Sequence, residues 1–261
     1  MLSKQQTKNI IALQQKKVRR NEKLFLVEGE KTVEDLLLSD WKIRLLCTTD
    51  SISQELKDLI TNNYSGEHIE VSSDDMDKIS PQTAPQGVLA VVHQKEQRFD
   101  ISEFKNQLVL VLDDVQDPGN LGTIIRIADW FGISNIVCSL KTAECYNPKV
   151  VQASMGSLFR TAIHYLDLEE LFQLNVETIN IPVYGTLMKG ENVFNADLKS
   201  SAFLIMGNES AGISDLAKTY INKPINIPSF AVSVDKRPDS LNVAIAAGIV
   251  CAEFRRRKIN A

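Results

Sequence analysis

Several familiar catalytic and metal-binding patterns are missing from this sequence. None of the four cysteines belongs to a CxxC pair and the three histidines form no ligand pair, so the sequence predicts no metal site. No GxGxxG follows a predicted strand and no GxxxxGK[ST] occurs, which argues against a nicotinamide-type Rossmann site and against a P-loop nucleotidase. GxSxG is also missing, and no histidine lies near a suitable serine, so a triad hydrolase is unsupported.

Long uncharged apolar runs are missing as well. No stretch approaches the roughly 20 residues that a membrane-spanning helix needs, and the first residues are polar and basic, unlike the apolar core of a signal peptide. Scattered cysteines are typical of a reducing compartment. We therefore expect a cytoplasmic protein with no membrane partner.

An excess of positive charge is missing too. The formal net charge is −4, so any binding to nucleic acid must depend on a local basic patch. One candidate is the predicted helix from Ser3 to Arg20, which carries only basic charges; the first acid is Glu22. A solvated helix face and a surface that contacts RNA phosphates are equally good interpretations of it. The run Arg255–Lys258 is interpreted as a solvated tail, with RNA contact as the alternative.

Alternating strand and helix patterns predict two α/β domains. Residues 1–94 form the smaller, N-terminal domain, whose last predicted strand is Gly87–Val92 (GVLAVV). Residues 95–106 are polar and charged and are predicted to be a linker. Residues 107–261 form a larger domain with a parallel sheet, because strands such as Leu108–Leu112 are apolar throughout, as expected for burial on both faces.

The stretch after Leu108–Leu112 organises the second domain. A turn of Asp, Pro, Gly and Asn residues follows the strand, and Asn120 is placed to cap a helix predicted over Leu121–Phe131. Arg126 lies in this helix among apolar residues, which is unusual for an ordinary solvated charge.

Two further polar turns follow predicted strands. One begins at Gly207 after the apolar strand Ala202–Met206, and the other follows the strand Ile225–Pro228 and leads to a helix that opens near Asn242. Ligands of parallel α/β sheets bind outside the carboxyl ends of the strands. The three turns therefore predict one composite pocket rich in backbone groups, which suits a nucleoside-like ligand.

The three turns resemble the three motifs of the SpoU (TrmH) family of RNA ribose 2′-O-methyltransferases. The first match is Asp117–Gly122 with Arg126 and Ala128, and the second is Met206–Ile213. The third is Ile227-Pro228 with Ser240–Ala244 beyond it. Three matches in order, each at the end of a predicted strand, cover residues 108–257. The segment Gln152–Ser157, and more weakly Phe25–Gly29 with the basic helix before it, are also similar to family segments.

The resemblance implies a fold, a cofactor and an assembly. The C-terminal domain is expected to be a parallel-sheet α/β domain with a trefoil knot that binds S-adenosylmethionine, and the N-terminal domain to resemble a small RNA-binding ribosomal protein. Family members are homodimers that pack partly through the C-terminal helix. By residue, the resemblance assigns the catalytic site to Arg126, Asn120, Glu209 and Asn242, and the cofactor-binding backbone to Gly207, Ile227 and Leu241.

The sequence departs from the family pattern in one loop. The spacer Ser229–Asp239 is longer than usual, and the glycine expected after Ile227-Pro228 is missing. The departure concerns the path of this loop and leaves Leu241 and Asn242 in place.

The expected function is methyl transfer from S-adenosylmethionine to a ribose 2′-hydroxyl of structured RNA, with ribosomal RNA favoured by the N-terminal domain. A tRNA 2′-O-methyltransferase, a base methyltransferase with a similar knot, and an RNA-binding protein without catalysis are the alternatives. Arg126 is expected to grip the phosphate beside the target ribose and to stabilise the developing alkoxide, or to relay its proton. Plain helix-capping roles for Asn120, Glu209 and Asn242 stay open beside catalytic ones.

Overall fold

The computed structural model describes residues 2–231 and 240–259. Its contacts divide the chain into two compact units: unit 1 is the chain up to Glu96 together with Glu144–Arg160, and unit 2 is Gln97–Ala143 together with the chain from Thr161 onward. The sequence-based boundaries assign residues 144–160 to the second domain, whereas in the structure this segment packs into unit 1.

The strands and helices alternate through most of the chain. The strands are β1 (Leu24–Glu28), β2 (Ile43–Thr48), β3 (His68–Glu70), β4 (Val88–His93), β5 (Leu108–Leu112), β6 (Asn135–Cys138), β7 (Ala162–Tyr165), β8 (Val183–Asn192), β9 (Ala202–Met206) and β10 (Lys223–Asn226). The helices are α1 (Lys4–Ala12), α2 (Lys16–Glu22), α3 (Glu30–Leu37), α4 (Gln54–Asn63), α5 (Ser73–Ile79), α6 (Pro118–Trp130), α7 (Pro148–Ser154), α8 (Leu168–Leu174), α9 (Asp215–Tyr220) and α10 (Val243–Ile259). Short 3-10 turns lie at Ile101–Phe104 and Ser157–Phe159, and a π-helical turn extends α8 over Asn175–Ile179.

Unit 1 is built on a four-stranded sheet in the order β1-β4-β2-β3. β4 is antiparallel to both of its neighbours, and β2 and β3 are parallel. Segment 144–160 supplies aromatic side chains to its core: the rings of Phe25 and Tyr146 are 4.7 Å apart, and those of Trp41 and Phe159 are 5.5 Å apart. Trp41 also donates a hydrogen bond from its indole to the Phe159 carbonyl. These contacts explain why the segment belongs to unit 1 rather than to the domain that its sequence position suggests.

The N-terminal basic segment forms two helices instead of the single predicted one. Arg19 is 1% exposed, and its guanidinium donates to the carbonyls of Leu13 and Gln14, which lie in the break between α1 and α2. The same side chain forms a 2.5 Å ion pair with Glu144 of segment 144–160. A guanidinium turned inward thus satisfies carbonyls that a continuous helix would have used internally.

Unit 2 contains a six-stranded sheet in the order β10-β8-β9-β5-β6-β7. All neighbouring strands are parallel, which confirms the predicted parallel-sheet domain. Every residue of β5 is buried, as expected for a strand covered on both faces. The carboxyl ends of β5, β9 and β10 therefore meet at one edge of the sheet. α10 packs against α6, and the side chain of Ile127 lies beside Gly248 in this contact.

Two further predictions concern segments of unit 2, the linker before β5 and the spacer after Ile227-Pro228. Part of the predicted linker, the turn Ile101–Phe104, contributes a buried side chain to the core, because Phe104 packs with Val109, Val111 and Phe203. Most of the long spacer Ser229–Asp239, residues 232–239, lies outside the described residues. The trefoil knot stays a prediction.

Candidate functional site

The turn after β5 ties the first and second motif segments together. Asp113 is 3% exposed; its backbone N–H donates to the Met206 carbonyl and its carboxylate accepts from the Ser214 N–H at 2.7 Å. Asp114 adopts a left-handed backbone, with φ of 58°, and its carbonyl accepts from the Asn208 side chain at 2.8 Å. Asp and Asn are the non-glycine residues that best tolerate this conformation. The two aspartates hold the loop after β9 against the end of β5.

The first helix of the site begins three residues earlier than predicted. Asp117 is the N-cap of α6, and its carboxylate accepts from the Asn120 N–H at 2.8 Å, with Pro118 in the first turn. The prediction that Asn120 caps this helix is therefore wrong, because Asp117 already fills that role. The side chain of Asn120 is left to make other contacts.

Those contacts form a chain of three side chains, one from each motif. Asn120 donates from its amide nitrogen to Glu209 at 2.8 Å and accepts on its amide oxygen from Asn242 at 2.9 Å. Asn242 in turn accepts from the backbone N–H groups of Ala244 and Ile245 at the start of α10. The carboxylate can only accept, so it fixes the orientation of the Asn120 amide, and with it that of Asn242.

These hydrogen bonds bear on the helix-capping roles that the sequence left open for Asn242 and Glu209, whereas their catalytic roles stay predictions. Asn242 both caps α10 and binds Asn120, so its structural role and its place in the site coexist. Glu209 caps no helix among the described residues; the Asn208 side chain instead accepts from the N–H groups of Ser210 and Ala211. Three side chains predicted to be catalytic thus lie in one hydrogen-bonded unit.

Arg126, on α6, takes no part in these hydrogen bonds. Ile124, Ile125 and Ala128 are buried, whereas Arg126 is exposed and makes no hydrogen bond or ion pair with any other described residue. Its apolar sequence neighbours point to another face of the helix. Trp130, one turn further on the same side, is 81% exposed. The apolar residues beside Arg126 in the sequence therefore do not bury it, and its functional role stays a prediction.

The three predicted cofactor residues lie at the same edge of the sheet. Gly207 follows β9 directly, Ile227 follows β10, and Leu241 precedes α10. No hydrogen bond joins the backbone N–H or C=O of these three residues to another residue of the described ranges. A side chain at position 207 would collide with the backbone of Gly212 and Ile213, where Asn208 and Gly212 pair across the loop. Glycine at 207 is therefore required by the loop itself.

α6 and α10 are fastened at both ends. Asn120 and Asn242 join their N-terminal ends, and Arg255 of α10 donates to the carbonyls of Phe131 and Gly132 at the other end of α6, at 2.6 and 2.9 Å. The two helices thus run side by side with both positive dipole ends at the site, which favours a nearby anionic group. The contacts of Arg255, Asp113 and Asn208 were not anticipated from the sequence. The polar turns after β5 and β9 could have signalled those of Asp113 and Asn208.

Other kinds of site receive no support within the described ranges. Within residues 2–231 and 240–259, no group of three or more His, Cys, Asp or Glu side chains is placed to hold a metal ion. No helix in that part of the chain is long and apolar enough to cross a membrane. A cavity of about 280 Å³ beside β8 and β10 contains none of the predicted site residues, and the Tyr184 hydroxyl at its wall already donates to the Asp197 carbonyl.

Comparison with protein-family models finds two matches that together span most of the chain. Residues 107–252 match the SpoU rRNA Methylase family, and residues 4–90 match the MRM3-like substrate binding domain. Among curated proteins, the chain is 32% identical to the 23S rRNA (guanosine(2553)-2′-O)-methyltransferase RlmP of Bacillus subtilis, over 96% of each chain. It is 28% identical to a 23S rRNA (uridine(2479)-2′-O)-methyltransferase of Streptomyces viridochromogenes, over 98% of this chain and 90% of that one.

Solved structures of similar proteins indicate the same family. A TrmH-family protein from Porphyromonas gingivalis superposes with a TM-score of 0.87 at 37% identity, covering 98% of this chain and 99% of that one. The SpoU methyltransferase AviRb from Streptomyces viridochromogenes, solved in complex with AdoMet, gives 0.86 at 25% identity over 99% and 100%. A structure concerned with 2-OH methylation of C/U34 on tRNA covers only 60% of this chain at 19% identity and a TM-score of 0.52, which shows the fold alone. With the three motif turns converging on one edge of a parallel sheet, these matches show that the chain belongs to the SpoU rRNA methylase family.

Proposed function

We propose that this protein transfers a methyl group from S-adenosylmethionine to a ribose 2′-hydroxyl of ribosomal RNA. The observation that carries the proposal is the hydrogen-bonded chain Glu209–Asn120–Asn242, which joins the three motif turns at the carboxyl edge of the sheet. Ribosomal RNA is favoured over tRNA because the relatives named for 23S rRNA match both units, whereas the tRNA-related structure matches about three fifths of the chain.

The cofactor is proposed to bind at Gly207, Ile227 and Leu241. Gly207 and Ile227 are partly buried, and Leu241 is 49% exposed. Their backbone donors and acceptors make no hydrogen bond within the described ranges, so they can serve a ligand that carries both kinds of polar group. When bound, S-adenosylmethionine supplies the methyl group, carried on a positively charged sulfur.

Arg126 is proposed to act on the RNA side of the reaction. Its guanidinium is exposed and unpaired within the described ranges, so no internal ion pair has to break before it binds a phosphate. Its fork of donors matches phosphate oxygens, and its fixed positive charge stabilises the alkoxide that develops when the 2′-hydroxyl loses its proton. Arg126 thus positions the ribose and lowers the barrier electrostatically.

Asn120, Glu209 and Asn242 are proposed to fix the positions of the cofactor methyl group and the ribose hydroxyl relative to each other. Because Asn120 and Asn242 lie at the starts of α6 and α10, their hydrogen bond fixes one helix start against the other. Glu209 uses one carboxylate oxygen for Asn120, and the other makes no hydrogen bond to a described residue. That second oxygen can accept a hydrogen bond from the ribose.

The main experiment is methyl transfer from labelled S-adenosylmethionine to total RNA of cells that lack the gene. Label is expected in ribosomal RNA, at linkages that resist alkali because the 2′-oxygen is methylated and cannot attack the neighbouring phosphate. Label on a base, or no transfer by protein that binds the cofactor, would contradict the proposal. The second outcome would instead favour an RNA-binding protein without catalysis.

Variants of Arg126 test the assigned roles. Arg126→Ala is expected to bind the cofactor normally and to lose roughly 100-fold or more in turnover. Arg126→Lys keeps the charge without the fork, so appreciable turnover in this variant would indicate a simple phosphate anchor. Lys105→Ala, at another exposed cation of unit 2, is the matched control and should leave turnover unchanged. Equal loss of cofactor binding and turnover in Arg126→Ala would make Arg126 a structural residue.

We further propose that the protein is a homodimer that packs through α10. Ile245 is 57% exposed and Leu241, one turn before it, is 49% exposed; Trp130 on the adjacent helix is 81% exposed. Leu241 and Ile245 are one turn apart at the start of α10, and an interface there would remove both side chains from water. Ile245→Glu is expected to shift the protein from dimer to monomer in sedimentation velocity. Ala252→Glu, at another exposed position of α10, tests whether the interface extends that far along the helix. A wild-type monomer at micromolar concentration would refute the dimer.

We also propose that the protein acts in the cytoplasm. None of the four cysteines forms a disulfide, and all four are buried. Fractionation of cells that express a tagged protein would check this location.

A further inference from the structure

Unit 1 carries a concentrated positive surface at one end of its sheet. α2 and the residue after it contribute Lys16, Lys17, Arg20 and Lys23, all of them exposed. The first residues of the β2 region contribute Lys42 and Arg44, which are also exposed. We refer to these six residues as the basic end.

Backbone pairing brings the two parts of the basic end together. The carbonyl of Lys23 accepts a hydrogen bond from Gln94 at 2.8 Å, and the carbonyl of Lys42 accepts one from His93 at 2.9 Å. His93 is the last residue of β4, and Gln94 follows it. β4 lies between β1 and β2, so Lys23 and Lys42 flank it on either side, about 5 Å away in each direction. The residue that follows α2 and the residue that precedes β2 thus lie on either side of the end of β4.

The charges of the basic end are not neutralised within the described ranges. None of the six forms an ion pair with a described residue, whereas other unit 1 cations such as Lys31, Lys78 and Lys95 bind nearby carboxylates. Of the acids close to the basic end, Asp40 is bound to Lys95, and Glu22 is the one acid within α2. In a chain with a net charge of −4, six unneutralised cations on one surface are a marked local excess.

Arg19 anchors α2, which carries much of the basic end, to neighbouring segments of unit 1. It is the one cation of α2 that turns inward, where it binds the carbonyls of Leu13 and Gln14 and the carboxylate of Glu144. Gln94 adds hydrogen bonds to the carbonyls of Arg19 and Leu24. Lys23 ends the helix in a left-handed conformation, with φ of 54°, and the chain then enters β1 directly. The exposed cations are therefore mounted on a rigid support, which reduces the entropy lost when they bind a ligand.

We propose that the basic end is the surface through which unit 1 binds the phosphate backbone of the substrate RNA, an inference that rests on the proposed RNA methyltransferase function. Cations that are exposed, unpaired and pre-positioned are what a polyanion recognises, whereas a merely solvated face gains nothing from the buried Arg19 support. Binding through phosphates positions the RNA without selecting its sequence. Selection of the target nucleotide is then left to the site in unit 2.

The test compares two triple variants of the full-length protein. K16Q/K17Q/R20Q removes three cations of the basic end, and K31Q/K57Q/K78Q removes one lysine each from α3, α4 and α5, so both variants change the net charge equally. RNA affinity is measured by fluorescence anisotropy at several salt concentrations with unmethylated ribosomal RNA fragments, and methyl transfer is measured at saturating RNA. The basic-end variant is expected to bind at least about ten-fold more weakly at low salt. Its slope of log affinity against log salt should fall by about 2, or roughly 0.7 for each lost contact.

The remaining measurements separate a role in RNA binding from a role in catalysis or in folding. In the basic-end variant, KM for RNA should rise while kcat at saturating RNA and the melting temperature stay at wild-type values. K42Q/R44Q, on the other side of β4, should reproduce the effect with a slope change of about 1.4, so the test does not depend on α2 alone. Equal slopes in the basic-end and control variants would overturn the proposal. If instead wild-type protein transfers no methyl group while the slopes change as expected, the catalytic function fails and the binding surface stands.

Discussion

The chain has two basic segments that look alike in sequence and differ in structure. The N-terminal one, α2 with Lys23, points its lysines and Arg20 into solvent without ion pairs among the described residues. The C-terminal one, Arg255–Arg257, is bound into unit 2. The sequence alone suggests the opposite, because it predicts that the C-terminal segment is the solvated one.

The difference depends on what acceptors lie within reach, not on how many charges a segment carries. Arg255 faces the carboxyl end of α6, where the carbonyls of Phe131 and Gly132 need donors. Arg256 and Arg257 both bind Glu253, which is 5% exposed. In the N-terminal segment, Arg19 binds the comparable acceptors, which are the carbonyls of Leu13 and Gln14 and the carboxylate of Glu144. Arg19 is therefore the member of the N-terminal segment that behaves like the C-terminal one.

Replacing Arg19 gives the strongest test of this comparison. Arg19→Ala would leave the Glu144 carboxylate without its buried partner and two carbonyls without donors, so unfolding of unit 1 should become easier by about 3–5 kcal/mol. Trp41 is 7% exposed in the core of unit 1 and reports its unfolding in urea by fluorescence. The exposed neighbour Arg20 is the control, and Arg20→Ala should change stability by about 0.5 kcal/mol or less. Similar losses of stability in Arg19→Ala and Arg20→Ala would mean that the buried and the exposed arginine do not differ in what they contribute.

Arg255→Ala should have the next largest effect. Hydrogen bonds from charged donors contribute about 1.5–3 kcal/mol each, and partial exposure of this side chain places the loss at the lower end of that range. Because Arg255 also fastens α10 to α6, the loosened helix should misplace Asn242 and reduce turnover. Thermal unfolding and methyl transfer measured on the same sample would show both effects. Unchanged stability in Arg255→Ala would mean that the C-terminal segment is solvated after all.

The sequence predicts local features of this molecule well, and contacts between distant segments poorly. β5 and β9 have the predicted bounds, because continuous apolar runs between polar turns leave little choice. The three motif turns follow the strands that were predicted to precede them. Their convergence then follows from the parallel sheet, in which all carboxyl ends share one edge.

The errors arise where two acceptable local solutions compete. Asp117 and Asn120 can each cap α6, and only the contact of Asn120 with Glu209, 89 residues away, separates them. Arg126 has apolar neighbours in sequence, but helix geometry turns it to another face. None of these outcomes is visible in a short sequence window.

The smallest effect concerns the acid of the C-terminal segment and appears as a pH dependence. Hydrogen bonds from Arg256 and Arg257 hold the pKa of Glu253 below its usual value. A carboxyl whose pKa is lower in the folded state adds stability at any pH above its unfolded pKa of about 4.3, and this stability is lost as pH falls through the folded value. The melting temperatures of wild type and Glu253→Gln should therefore differ by a constant few degrees from pH 8 to 5 and converge below about pH 4. Glu22→Gln, which alters the exposed acid of the N-terminal segment, should show no such convergence; if it did, the two segments would not differ in how they hold their charges.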